Sequence, residues 1–96
     1  MEHVILLVST LDTKGPETLF LRDRIRERGG TPLVLDLSMS AECEGADITP
    51  AEVARAAGTD IGEIRASRER KKITRQMIEG AQKLAKELLQ PAVWLR

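Results

Sequence analysis

Two short aliphatic runs, separated by a segment long enough for one helix, constrain the fold of this chain more than any other feature. Residues 3–9 (HVILLVS) and 31–37 (TPLVLDL) are rich in β-branched and aliphatic side chains and have the length of buried strands. Between them, Pro16 suits a first helical turn because proline has no N–H to satisfy there, and Gly29 and Gly30 suit a helix end. The pattern predicts a βαβ unit with parallel strands.

The helix predicted between the strands spans residues 16 to about 28. Leu21 and Ile25 lie four positions apart in it, and Leu19 and Phe20 widen the same face. We expect this face to be buried against the sheet.

Two more helices are predicted after the second strand. Thr49 and Glu52 have the spacing of a capping box, which predicts a short helix that ends at Gly58. Residues 59–66 are interpreted as a connector, and a long helix is predicted from 67 to about 89. Its apolar stripe recurs every three or four residues and consists of Ile73, Met77, Ala81, Leu84 and Leu88, with Gly80 as a local weak point. The predicted fold class is α/β, a partial Rossmann-like βαβ unit with parallel strands followed by a short and a long helix.

Two strands are too few for a parallel sheet that is buried on both faces. We therefore expect residues 1–89 to form a truncated N-terminal α/β subdomain of a longer protein, and residues 90–96 to be an atypical C-terminal tail. Residues 92–95 have the composition of a very short third strand. The alternative is that a second copy of the chain supplies the missing strands.

The charge balance argues against a partner recognised by bulk charge. Fifteen basic and fifteen acidic side chains cancel, so neither a nucleic acid nor a membrane surface is expected as a partner. Residues 65–75 are locally basic. They are interpreted as a solvated helix face rather than a nucleic-acid patch, because no aromatic side chains alternate with them for base stacking.

The single cysteine excludes an internal disulfide and favours a reducing, cytoplasmic setting. Cys43 lies between Glu42 and Glu44, whose carboxylates disfavour a thiolate, so an activated nucleophile is not expected. One histidine and one cysteine cannot form a zinc site, and no metal site is predicted. The first apolar run is too short to cross a bilayer.

The sequence 10–15 (TLDTKG) joins the first predicted strand to the helix that starts at Pro16 and is interpreted as a loop. Ligands bind at the carboxyl ends of parallel strands, and helix N-termini there attract anions. Lys14 offers a positive charge, and Thr10 and Thr13 offer hydroxyl groups to phosphate oxygens. Asp12 could hold Lys14 or a metal ion, and the backbone amides of residues 13–17 are expected to open onto the site.

Asp36 follows Gly15 by 21 positions and ends the second predicted strand. That spacing is close to the one at which an acidic residue binds a ribose hydroxyl in dinucleotide folds. Neither G-x-G-x-x-G nor G-x-x-x-x-G-K-[ST] is present, so spacing alone leaves several alternatives open. Asp12 and Thr13 could cap the helix, Lys14 could be solvated, and Asp36 could cap a helix or turn at the strand end.

A specific set of short segments adds a family resemblance over residues 4 to about 89. The segments resemble the N-terminal part of the Tm-one-like ATP-binding family, which has long been described as an uncharacterised protein family. They are 8–17 (VSTLDTKGPE), 20–22 (FLR), 34–37 (VLDL), 46–48 (ADI) and 52–58 (EVARAAG).

The resemblance implies an ATP phosphate site, with or without magnesium, in an α/β domain joined to a larger C-terminal region. The residues that it assigns to this site are Thr10, Asp12, Thr13, Lys14 and Gly15, with Asp36 as a weaker member. Family members continue into another strand and glycine-rich segments that this chain lacks, so no complete catalytic set is assigned. The alternative function is a noncatalytic oligomerisation or regulatory α/β module, which self-associates through its sheet edge or through the stripe of the long helix.

Overall fold

Two parallel strands form the centre of the fold. The computed structural model describes residues 4–39 and 43–88, and the order of elements in them is β1 (Val4–Ser9), α1 (Leu11–Glu27), β2 (Thr31–Asp36), α2 (Pro50–Ala56), α3 (Ile61–Ala66) and α4 (Arg70–Leu88). Val4 lies opposite Thr31, and Ser9 lies opposite Asp36. The predicted βαβ unit with parallel strands, followed by helices, is confirmed.

Helices cover both faces of this sheet. Ser9 lies on the face of α1, because its hydroxyl is 2.6 Å from that of Thr18. Leu6 lies on the opposite face, since side chains alternate along a strand, and there it packs against the main core. The buried members of this core come from β2 and the region that follows it: Leu35, Ile48, Val53, Ala54, Ile64, Ile73, Met77 and Ala81.

Helix α1 begins five residues before Pro16, so the prediction that residues 10–15 form a loop was wrong. A first turn runs from Leu11, and the backbone leaves helical geometry at Lys14 (φ −123°, ψ 25°) before the helix continues through Pro16. The turn forms because the N–H of Leu11 finds an acceptor in the side chain of Asp36, which ends β2, and the N–H of Asp12 finds one in Ser38, two residues later. The break at Lys14 separates this turn from the helix that the sequence predicted.

The buried face predicted for α1 was also wrong in part. Phe20 and Leu21 are 62% and 48% exposed, whereas Leu11 and Thr18 are buried. A sheet of two strands is about 5 Å wide from axis to axis, so it cannot cover a helix face as broad as the one predicted. Phe20 instead lies under the guanidinium of Arg24, which is 5.1 Å from the ring centroid.

The predicted capping box of α2 is confirmed. The hydroxyl of Thr49 accepts the N–H of Glu52 at 3.3 Å, and the carboxylate of Glu52 accepts the N–H of Thr49 at 3.3 Å. Gly58 follows the helix with a φ of +84°, a conformation that glycine adopts without strain. Both ends of α2 are therefore determined by local sequence, as expected.

The connector predicted over residues 59–66 was wrong, because most of it is helix α3. Asp60 caps this helix by accepting the N–H of Glu63 at 3.0 Å, and Ile64 is buried in the core. Helix α4 then begins at Arg70, three residues later than predicted, since Ser67 accepts the N–H of Glu69 in the joint between the two helices.

The apolar stripe of α4 is confirmed at Ile73, Met77 and Ala81, which are buried, and Leu84 packs against the core. Leu88 was predicted wrongly, because its side chain is 42% exposed. Residues 89–96, and with them the predicted tail and short strand, lie outside the described residues.

Gly80 brings α4 against α2. A Cβ atom at this position would overlap the carbonyl oxygen of Val53 and crowd the side chain of Ala57. The glycine that looked like a weak point of the helix therefore allows the two helix backbones to approach closely.

No helix among the described residues is both long and apolar enough to cross a membrane.

Candidate functional site

A cleft of about 570 Å³ lies where the carboxyl ends of β1 and β2 meet the joint between α3 and α4. Parallel strands end at the same edge of a sheet, so the first turn of α1 and the residues after β2 lie side by side on one wall. The opposite wall comes from the end of α3 and the start of α4. The lining residues are Thr10, Asp12, Thr13, Leu37, Met39, Ile64, Arg65, Ser67, Arg70 and Ile73.

The first turn of α1 is held by hydrogen bonds from outside the helix. Asp36 accepts the N–H of Leu11 at 3.0 Å, and the hydroxyl of Ser38 accepts the N–H of Asp12 at 3.0 Å. The next two amides, of Thr13 and Lys14, donate to the carbonyl of Thr10 at 3.1 and 2.7 Å. The first four amides of the helix are therefore already bonded, and recognition of a ligand by this turn depends on its side chains.

Asp36 and Ser38 form a small buried polar pair beneath the turn, and both are 0% exposed. One carboxylate oxygen of Asp36 accepts the N–H of Ser38 at 2.9 Å and its hydroxyl at 2.5 Å, in addition to the N–H of Leu11. The other oxygen is buried without a hydrogen-bond partner among the described residues. The pair fixes the turn to the end of β2.

The structure brings three of the six residues predicted for the site to the cleft, namely Thr10, Asp12 and Thr13. The hydroxyl oxygens of Thr10 and Thr13 are 2.7 Å apart, so the two groups lie at one point of the wall. Asp12, which carries a carboxylate, lines the same cleft.

The other three predicted residues do not line the cleft. The side chain of Lys14 is 67% exposed, and its ammonium lies 3.8 Å from the carboxylate of Glu17. Gly15 offers no side chain. Asp36 is buried beneath the turn and caps α1, which was the alternative to ribose binding that the sequence left open.

Two arginines in the cleft were missed from the sequence. Arg65 lies in the last turn of α3 and Arg70 begins α4, so the joint between these helices brings both arginines to the cleft that the threonines line. Both belong to the basic stretch 65–75, which was interpreted as a solvated helix face. The basic stretch was the available signal, but its position opposite 10–15 follows only from the packing of α3.

The polar groups of the cleft suit an anion with several oxygens. Neither Arg65 nor Arg70 takes part in the ion pairs formed within residues 4–39 and 43–88. Arginine presents five N–H donors in a planar fork, which matches phosphate oxygens. Ser67 adds a third hydroxyl group to the lining of the cleft, while Leu37, Met39 and Ile64 supply apolar surface.

The comparison with known families gives this cleft a context. The family model for the N-terminal domain of the uncharacterised protein family UPF0261 matches residues 3–94. The chain belongs to the UPF0261 family. The turn 10–15 and the residues that hold it lie within the matched region.

Curated UPF0261 proteins are similar over most of this chain. One from Brucella suis biovar 1 (strain 1330) is 37% identical over 90 residues, which are 90% of this chain and 21% of the relative. One from Clostridium tetani (strain Massachusetts / E88) is 30% identical over 89 residues, or 92% of this chain and 22% of the relative. One from Brucella melitensis biotype 1 is 36% identical over 90 residues and has 21% of its own length covered.

The chain thus spans about a fifth of the length of these UPF0261 relatives. No solved structure matches it.

Proposed function

We propose that the cleft binds the phosphate groups of a nucleotide, ATP, as the N-terminal part of a larger UPF0261 protein. The observation that carries the proposal is the convergence of Arg65 and Arg70 with the hydroxyls of Thr10 and Thr13 at the carboxyl ends of two parallel strands. Open α/β sheets bind ligands at this edge. The resemblance of the segment 10–15 to the Tm-one-like ATP-binding family supports the choice of ATP.

Each group in the cleft has a role in this proposal. The two guanidinium groups balance the phosphate charge and donate hydrogen bonds to its oxygens, and the hydroxyls of Thr10, Thr13 and Ser67 donate further ones. Asp12 is the carboxylate at which a magnesium ion of the ligand would be held. A volume of about 570 Å³ falls within the range of small-molecule sites.

Lys14 has a smaller role than the sequence suggested. Its ammonium is solvated and lies beside Glu17, so in the proposal it adds to the local field without forming a direct bond. No hydrolytic role is proposed, because phosphoryl transfer needs a positioned base or several metal-binding groups. Cytoplasmic location belongs to the same proposal and is supported by the single cysteine.

Calorimetric titration with ATP and magnesium tests the proposal. Arg65→Ala and Arg70→Ala are each expected to weaken binding by about tenfold or more, the size of a lost charge-assisted hydrogen bond. Arg55→Ala is the matched control, because it removes the same charge from an exposed position on α2 that does not line the cleft. Lys14→Ala is expected to change the affinity by about twofold.

Competition identifies which part of the ligand is bound. Inorganic tripolyphosphate is expected to displace ATP, and adenosine is not. Absence of saturable ATP binding, or an equal loss in Arg55→Ala and Arg70→Ala, would contradict the proposal, since the second result indicates attraction by net charge alone.

A further inference from the structure

The two edges of the sheet differ in whether their backbone groups are already hydrogen-bonded, and this difference shows at which edge a further strand can pair. The outer edge of β2 is covered by a segment of the chain itself. Asp36 donates its N–H to the carbonyl of Ile48 at 3.0 Å, and the carbonyl of Val34 accepts the N–H groups of Asp47 and Ile48 at 2.9 and 3.0 Å. The N–H of Val34, which also points outward, is bonded to the carboxylate of Asp47 at 2.8 Å.

The carboxylate of Asp47 closes this edge to further strands. A side chain that occupies a ladder N–H blocks its use by another backbone, which is one of the ways in which proteins protect sheet edges. The sheet therefore cannot extend beyond β2 without loss of bonds already made.

The outer edge of β1 has no such cover among the described residues. Within residues 4–39 and 43–88 the only strand paired with β1 is β2. The N–H of Leu37 donates to the carbonyl of Ser9 at 2.7 Å, so the backbone polar groups of Ser9 point toward β2. Because the N–H and C=O of a strand residue point to the same neighbour and alternate along the strand, Leu6 and Val8 direct theirs to the open edge.

The side chains of β1 are also incompletely buried. Ile5 and Val8 lie on opposite faces and are 40% and 50% exposed. A parallel strand is normally buried on both faces, with aliphatic side chains packed under helices. On the side of α1 a groove of about 440 Å³ continues from Ile5 to Leu21 and Ile25.

We propose that β1 is an internal strand of a larger sheet, and that its open edge pairs with a further parallel, aliphatic strand from the C-terminal remainder of a longer UPF0261 protein. The UPF0261 relatives are long enough to contain such a strand, because about four-fifths of each lies outside the region that this chain matches. The strand order is then β2, β1 and the added strand. Because Asp47 occupies the outer edge of β2, the sheet extends only from the edge of β1.

Hydrogen exchange of the β1 amides tests this interface. The 96-residue chain is compared with a chimera in which it replaces the matching 90 residues of the Brucella suis relative. In the chain alone, the amides of Leu6 and Val8 are expected to exchange much faster than that of Leu7, which points toward β2. In the chimera they are expected to slow by about a hundredfold or more, as ladder amides do.

A pair of lysine variants separates the edge from general surface effects. Val8→Lys places a charge where the added strand would bury it and is expected to abolish the added protection of Leu6. Ile78→Lys is the control, because Ile78 is 46% exposed on α4, away from the edge, and its substitution is expected to leave that protection intact.

Two results would overturn the proposal. One is a folded chimera in which Leu6 and Val8 exchange as fast as in the chain alone. The other is a dimer of the isolated chain, detected by sedimentation, that protects both amides and dissociates in Val8→Lys, because the occupant is then a second copy. If the chimera does not fold, the amides aligned with Leu6 and Val8 are measured in the unaltered Brucella suis protein, where fast exchange also overturns it.

Discussion

The carboxylate of Asp36 accepts the backbone N–H of Leu11 at 3.0 Å, across 25 positions of the chain. This bond ties the end of β2 to the start of α1 and replaces a cap that the helix does not make for itself, since Thr10 forms no side-chain cap. The residues of the candidate site therefore owe their positions to a buried group outside the site.

Asp36→Ala is expected to lower the free energy of unfolding by about 3 kcal/mol, because it leaves the N–H groups of Leu11 and Ser38 buried without an acceptor. Asp36→Asn keeps an acceptor oxygen and is expected to cost about 1 kcal/mol. Urea denaturation measures both. Asp23→Ala is the control, since it removes an exposed carboxylate from surface ion pairs and is expected to cost about 0.5 kcal/mol or less.

Asp36 and Ser38 are expected to act as one unit. Ser38 donates to Asp36 and accepts the N–H of Asp12, so the loss of either residue disrupts what the other does. A double-mutant cycle of Asp36→Ala and Ser38→Ala, measured by the same denaturation, is expected to give a coupling energy of about 1–2 kcal/mol. Additive single effects would contradict a shared role in holding the turn.

Gly80→Ala is expected to destabilise the chain by about 2–3 kcal/mol, although alanine is the better helix former. The added methyl group meets the carbonyl oxygen of Val53 and forces α4 away from α2. Gly15→Ala is the matched control, because a Cβ at that position meets no described atom within 4 Å beyond its chain neighbours and the backbone of its own helix. Thermal unfolding should show a large loss for the first variant and little change for the second.

The capping box of α2 is expected to contribute about 1 kcal/mol. Thr49→Ala removes the acceptor for the N–H of Glu52, whereas Thr49→Ser keeps the hydroxyl. Chemical denaturation should therefore show a loss for alanine that serine largely restores. Equal losses in the two variants would mean that the methyl group, and not the hydroxyl, is what matters.

The sequence predicted those elements whose signals are local. The aliphatic runs predicted β1 and β2, and the spacing of Thr49 and Glu52 predicted the start of α2. Helix α3 was missed although Asp60 and Glu63 have the spacing of a capping pair, because its six residues are too few for a clear apolar period.

The sequence predicted the residues of only one wall of the cleft. The segment 10–15 is distinctive enough to mark Thr10, Asp12 and Thr13, which do line the cleft. The position of Arg65 opposite them depends on how α3 packs, which no local pattern encodes. The burial of Asp36 depends on its bond to Leu11, a partner that cannot be recognised from spacing.

The turn that carries Thr10, Asp12 and Thr13 has consequences for the order in which the chain folds. Its two anchoring side chains lie 25 and 26 positions after the amides that they bind. A ribosome that adds about 5–20 residues per second delivers them roughly one to five seconds after the turn itself has been made. A nascent chain or a peptide that stops before Asp36 therefore contains the whole TLDTKG motif without either anchor of its shape.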